Sequence, residues 1–158
     1  MINFRNKNNK IYVLLLFKFL MMDKKKILEA FNTTSKNTLM EHLNIFYVDV
    51  GTNFLSATMP VNSNVHQPYG QLHGGATAAL AESVGSAASH FFIDDKNQLI
   101  NGIELSINHI RSKKEGVVTA TAKNIHRGRS THLWEIRIVD EEGKLISIAK
   151  LTNIILKK

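Results

Sequence analysis

Residues His66–Ser89 read HQPYGQLHGGATAALAESVGSAAS, and the two halves of this stretch ask for different structures. The left half is polar and turn-rich, with Pro68, Gly70, His73, Gly74 and Gly75. The right half has almost no side-chain bulk: from Ala76 to Ser89, six Ala, three Ser and one Gly leave only Leu80 and Val84 as larger apolar groups. Alanine is the best helix former, so the run predicts a helix from Gly74 or Ala76 to about Phe92. Such a thin helix lets neighbouring backbones approach closely. One carboxylate, Glu82, sits in the middle of it.

On both sides of this helix the pattern changes to strand. NIFYVDVG (44–51) and NFLSATMPV (53–61) precede it as two short strands, with a hairpin signal near GTN. Four strand-like runs follow: INGIELSINHIR (100–111), GVVTATAKNIH (116–126), HLWEIRIVD (132–140) and KLISIAKLTNIIL (144–156). A polar turn, DDKNQ (94–98), leads into the first, and EEG (141–143) joins the last two. In the first run Ile103, Leu105, Ile107 and His109 are expected on one face. Upstream, Asp23–Asn32 reads as a short helix with Ile27, Leu28 and Phe31 on one side, and Thr38–Leu43 as a further turn. This order makes an α+β domain with an antiparallel sheet, whose inner face the long helix covers.

The chain has 158 residues, 44% of them apolar and 21% charged, which suits one ordinary globular domain. It contains no Cys, so disulfides, thiolate zinc sites and a Cys nucleophile are excluded, and a reducing, cytoplasmic setting fits. The formal charge of +7 admits anionic partners. Its Lys and Arg are spread widely, and no basic helix or aromatic stacking motif points to nucleic acid. Residues 1–21 read as an N-terminal extension to a domain over 22–158. Their apolar segment, IYVLLLFKFLMM (11–22), is interrupted by Lys18 and is shorter than the ~20 residues a membrane span needs.

Glu82 admits two readings. It is a good helix former and fits a solvated face. Yet Ala78, Ala79, Gly85 and Ser86 stand at its helical offsets, where a solvated face usually offers a Lys or Arg. A partly buried acid has a raised pKa, which suits a general base or nucleophile. The preceding HGG places the N–H groups of Gly74 and Gly75 at a helix N-terminus, where orphan donors and the helix dipole favour an anion or a developing oxyanion. Gln67 and His73 add side-chain hydrogen-bond groups, or serve as a loop amide and a helix cap. From Gly74 to Glu82 is about 12 Å along a helix, too far for both to act on one carbonyl. Two copies pairing these helices antiparallel about a two-fold axis would bring Glu82 of one to Gly74 of the other.

The segments QPYGQLHGGATAALAESVGS (67–86), GIELSINHIRS (102–112) and HRGRSTHLWEIRIVDEEGKLISIAKLT (126–152) together resemble the hotdog-fold acyl-CoA thioesterases of the phenylacetic-acid type. Within that family the chain is most similar to enzymes of menaquinone biosynthesis that hydrolyse 1,4-dihydroxy-2-naphthoyl-CoA and to their enterobactin-pathway proofreading relatives. The resemblance implies a long central helix wrapped by an antiparallel sheet. It also implies homodimers, or dimer-of-dimers homotetramers, with sites at the dimer interface. By motif position, Glu82 is the nucleophile or general base and Gly74 N–H the oxyanion contact. Gln67 and His73 bind or polarise the carbonyl, Ser86 stands near the acyl group or the attacking water, and Gly75 borders the substrate. His109 and Arg111 become contacts for coenzyme A, with Arg129 in RGRS (127–130) as another cationic corner at a similar level. Ala87 is smaller than the residue usual in those relatives, which would widen the acyl pocket. No cofactor and no metal are implied.

The reading is hydrolysis of an acyl-CoA, with an aromatic acyl group favoured. The alternatives are a broad-specificity thioesterase for medium-chain or phenylacetyl-type esters and a non-catalytic acyl-CoA-binding protein. Hydration of an enoyl thioester would use an Asp/His or His/Glu arrangement absent from these motifs. Nor does the chain carry a Ser nucleophile elbow, a P-loop or HExxH.

Overall fold

The computed structural model describes residues 24–93 and 96–158. The expected N-terminal extension lies outside the described residues, as do Asp94 and Asp95 of the polar turn. Helix α1 covers 24–34 and a single turn, α2, covers Leu39–His42. Strands β1 (Phe46–Val50) and β2 (Phe54–Val61) form the first hairpin. After a 3-10 turn at Ser63–Val65 comes the long helix α3, Gly74–His90. The remaining strands are β3 (Gln98–His109), β4 (Gly116–Arg127), β5 (Thr131–Val139) and β6 (Leu145–Lys157).

The six strands make one sheet in the order β1-β2-β4-β5-β6-β3, every neighbouring pair antiparallel. Alternation decides its inner face. Along β5, His132, Trp134, Ile136 and Ile138 are buried, and β2, β4 and β6 add Leu55, Met59, Val118, Ala120 and Leu151. Against this face lies α3, burying Thr77, Leu80, Ala81, Val84, Ala88 and Ser89. Each fully buried large apolar side chain contributes about 1.5–3 kcal/mol. The small-residue run is the condition for this close seat: a Cβ on Gly85 would fall 2.5 Å from Leu151 Cδ2. This is the helix-on-sheet arrangement the sequence predicts.

Two details differ from the sequence reading. The helix stops at His90 rather than Phe92, because Phe91 and Phe92 turn away into an aromatic cluster in which Phe92 stacks on Trp134 at 6.1 Å. On β3, Gly102 pairs with Asn153 and Glu104 with Thr152, so Ile103 is the extra residue of a β-bulge. The bulge shifts Ile103 out of phase with Leu105 and Ile107, and it is exposed while they pack against the core. β3 is an edge strand, its outer side unpaired among the described residues. No helix of the described residues is long and apolar enough to cross a membrane.

Candidate active site

The start of α3 is held by the loop before it. His73 is the N-cap, its Nδ1 accepting from Gly75 N–H at 2.7 Å. Its own N–H donates to Val65 O, and Leu72 N–H donates to Lys113 O. The Gly74 N–H has no acceptor among the described residues and stands at the positive end of the helix dipole. Gln67 Oε1 accepts from Tyr69 N–H at 2.5 Å, which leaves the amide NH2 as its donor group. From β3, His109 lies over Gly74: a Cβ there would sit 2.7 Å from its Nε2. The other ring nitrogen, Nδ1, is 3.1 Å from Ser147 Oγ. Gln67, Gly74, His109 and Arg111 line one cavity of about 320 Å³. Arg111 donates through Nη1 to Leu145 O.

Glu82 lies two turns further along α3, in a different cavity of about 770 Å³ with mostly apolar walls. Phe31, Tyr47 and Phe91 form an aromatic side, with ring centroids 5.3 Å apart for Phe31–Tyr47 and 6.3 Å for Phe31–Phe91. Ala87 and Met40 also line it. The half-buried carboxyl of Glu82 is pushed above the usual carboxylate range by lost hydration, which the Ser86 hydroxyl partly opposes from 3.4 Å. Burial likewise pushes the Tyr47 hydroxyl up to about 12, and it donates to Ser83 O at 3.2 Å.

One protomer therefore brings Gln67, Gly74, His109 and Arg111 together, and separately Glu82 and Ser86. The two groups do not share a cavity, as the helix spacing implies. His73 and Gly75 cap the helix between themselves. Arg129 is placed apart from Arg111: it sits in the turn between β4 and β5, at the opposite end of the sheet from the loop that follows β3. Their assumed common level reflects sequence motifs only, because successive antiparallel strands return their turns to alternate ends. Among the described residues no cluster of His, Cys, Asp or Glu is arranged to hold a metal.

Two residues, one beside Glu82 and one beside Ser86, escape a sequence reading. Gly102, in the β3 bulge, leaves room for the acid: a Cβ there would collide with Glu82 Oε1 and lie 3.1 Å from its Cδ. Asn153, fully buried on β6, has its Oδ1 3.4 Å from Ser86 Oγ. A polar Asn on the inward phase of the apolar run LTNIIL is the one signal that marks it.

Comparisons with known proteins agree with this fold. A family model described as the thioesterase superfamily matches residues 69–147. The chain is 45% identical over 129 residues to the proofreading thioesterase EntH of Cronobacter sakazakii, covering 82% of this chain and 93% of that protein. It is 41% identical over 137 residues to the 1,4-dihydroxy-2-naphthoyl-CoA hydrolase of Escherichia coli, covering 86% of this chain and all of that one (100%). The crystal structure of a mutant of thioesterase PA1618 from Pseudomonas aeruginosa superimposes with a TM-score of 0.82 at 42% identity, covering 83% of this chain and 94% of that one. Matches of this depth, over a central helix seated on one antiparallel sheet, make the chain a member of the thioesterase superfamily, a hotdog-fold thioester hydrolase.

Proposed function

We propose that the protein hydrolyses acyl-CoA thioesters, with aromatic acyl groups favoured, giving the free acid and CoA. The observation that carries this reading is Glu82, a half-buried acid with raised pKa opening onto an apolar cavity with an aromatic side. Glu82 either attacks the thioester carbon, forming a mixed anhydride that water then cleaves, or takes a proton from water as it attacks. In both routes CoA leaves as the thiolate and the carbonyl oxygen becomes an oxyanion, for which Gly74 N–H and the Gln67 amide are the donors. His73 carries its remaining proton on Nε2, within the same loop, because Nδ1 is engaged by Gly75. Ser86 orients water, and Gly75 borders the carbonyl.

Both halves of this machinery meet only if two copies pair α3 antiparallel across a two-fold axis, with the β3 edges joined into one continuous sheet. The assembly is therefore a homodimer or a dimer-of-dimers tetramer, working in the cytoplasm. Ala87 adds width to the cavity, room for a fused or substituted ring. The E. coli relative named for 1,4-dihydroxy-2-naphthoyl-CoA supports the aromatic preference. A free-thiol release assay over aryl, phenylacetyl and straight-chain CoA esters tests it. Preferred turnover of aryl esters upholds the reading; binding without release would make the protein an acyl-CoA binder.

His109 and Arg111 flank the Gly74 cavity as contacts for CoA, His109 nearest the thioester and Arg111 for a phosphate, with Arg129 contributing only if assembly brings it near. Arginine suits phosphate through its planar fork of donors. Arg111→Ala is expected to raise KM for CoA esters about tenfold, the scale of one charge-assisted contact. It should leave the KM for a short thioester without a nucleotide nearly unchanged. Equal losses on both substrates would dismiss the phosphate role.

A further inference from the structure

Ser86 offers one hydroxyl proton, and its Oγ stands 3.4 Å from two acceptors at once, Glu82 Oε1 and Asn153 Oδ1. A hydroxyl donates to only one of them at a time. The Asn153 amide cannot turn to change this choice. Its Nδ2 donates to Gly85 O at 3.2 Å and to Ser89 Oγ at 2.8 Å, and Ser89 Oγ in turn accepts from Trp134 Nε1 at 2.8 Å. Asn153, Ser89 and Trp134 are all fully buried. The amide's donors are thus consumed by the helix backbone and the core, and its oxygen is aimed at Ser86. Core packing fixes an acceptor beside Ser86.

We propose that Asn153 is a positioning residue for hydrolysis, its oxygen competing with Glu82 for the Ser86 proton so that this hydroxyl turns as the charge on Glu82 is lost and restored. While Glu82 is a carboxylate, Ser86 donates to it. When Glu82 has taken a proton or an acyl group, the carboxylate no longer attracts that hydrogen, and Ser86 donates to Asn153 instead. Its lone pairs then face the Glu82 proton or the incoming water. Without Asn153 the hydroxyl would remain committed to the carboxylate, stabilising the charged form and lowering its basicity.

Tyr47 from β1, His90 from α3 and Lys158 after β6 are the titratable groups lining the cavity of Glu82; α1 and the start of β3 contribute Ile27, Ala30, Phe31, Thr34, Gln98 and Leu99. Burial and the Ser86 hydrogen bond are the influences that move its titration.

This inference rests on the proposed role of Glu82, so its test includes a readout that does not need turnover. The carboxyl stretching band of Glu82, assigned by its loss in Glu82→Gln, is titrated by infrared spectroscopy in the wild type, Asn153→Leu, Ser86→Ala and the double variant. Acyl-CoA hydrolysis is followed over the same pH range. Asn153→Leu is expected to lower both the titration midpoint and the acid limb of kcat/KM by about half a pH unit or more, the scale of one strengthened hydrogen bond. In the Ser86→Ala background the same substitution should move neither. Asn153→Val, β-branched, suited to a strand and without an acceptor, should repeat the shift if the Leu variant folds poorly.

An unchanged midpoint in the folded Asn153 variants, with only a lower kcat, would overturn the proposal. So would a shift that persists without Ser86. An inert wild type with a Ser86-dependent shift would sink the hydrolase reading yet uphold the coupling of Asn153 to Glu82. An active wild type with no shift would do the reverse.

Discussion

Glu82→Gln is expected to lower turnover of acyl-CoA at least about 10³-fold, the range for losing a nucleophile or an essential base. Glutamine keeps the size and the hydrogen-bonding oxygen of the acid. It can neither accept a proton in the reaction nor form an anhydride. The substitution should also change stability in a direction set by the titration of this group. Burial raises the folded-state pKa of Glu82 above its ordinary value. Between those two values the folded state binds more protons than the unfolded chain, so the stability contributed by this site falls as pH rises through that window. The variant should therefore be somewhat more stable than the wild type at neutral pH. That difference should vanish in acid, below the ordinary carboxylate range. Urea melts at several pH values read this directly; activity within threefold of wild type would remove Glu82 from the chemistry.

Gly102→Ala is expected to cost about 10²-fold in kcat, the scale of a displacement near 1 Å at a reacting group, with a nearly unchanged melting temperature. The β3 bulge presents Gly102 to the carboxylate so closely that one added carbon collides with Oε1. A carboxylate at the end of a flexible side chain can swing aside, so the fold survives while the acid leaves its place. Gly102 has no left-handed backbone requirement, so alanine adds the collision without backbone strain. Measuring kcat, KM and the thermal midpoint together separates the two effects. Wild-type kcat in the alanine variant would show that the carboxylate need not occupy this position.

Much of this architecture is legible in the sequence because it is periodic. The inward residues of β5 alternate, the helix shows in its alanines, and Glu82 stands out as a lone acid among small residues. Gly74 is legible because a glycine pair opens that helix. What escapes depends on contacts between distant segments. Gly102 matters to Glu82 only because a bulge brings an edge strand to the middle of α3. Ile103 leaves its expected face through the same bulge, which no alternation rule marks. Asn153 gains its meaning from Gly85, Ser86 and Ser89, far away along the chain. Arg129 is the opposite case: its motif suggests a corner at the level of Arg111, and the strand connections place the two at opposite ends of the sheet.

The most direct test of the central claim, a hydrolytic site completed by two chains, is thiol release from mixed subunits. Glu82→Gln removes the acid; Gly74→Val blocks the other half, where a Cβ would fall 2.7 Å from His109 Nε2. Each variant alone should be nearly inactive. Equal amounts, unfolded and refolded together, should recover about a quarter of the wild-type rate, the yield of random pairing when each mixed dimer carries one intact site. Mixtures no more active than either parent, with mixed dimers verified by mass, would contradict a site shared between Glu82 of one chain and Gly74 of the other.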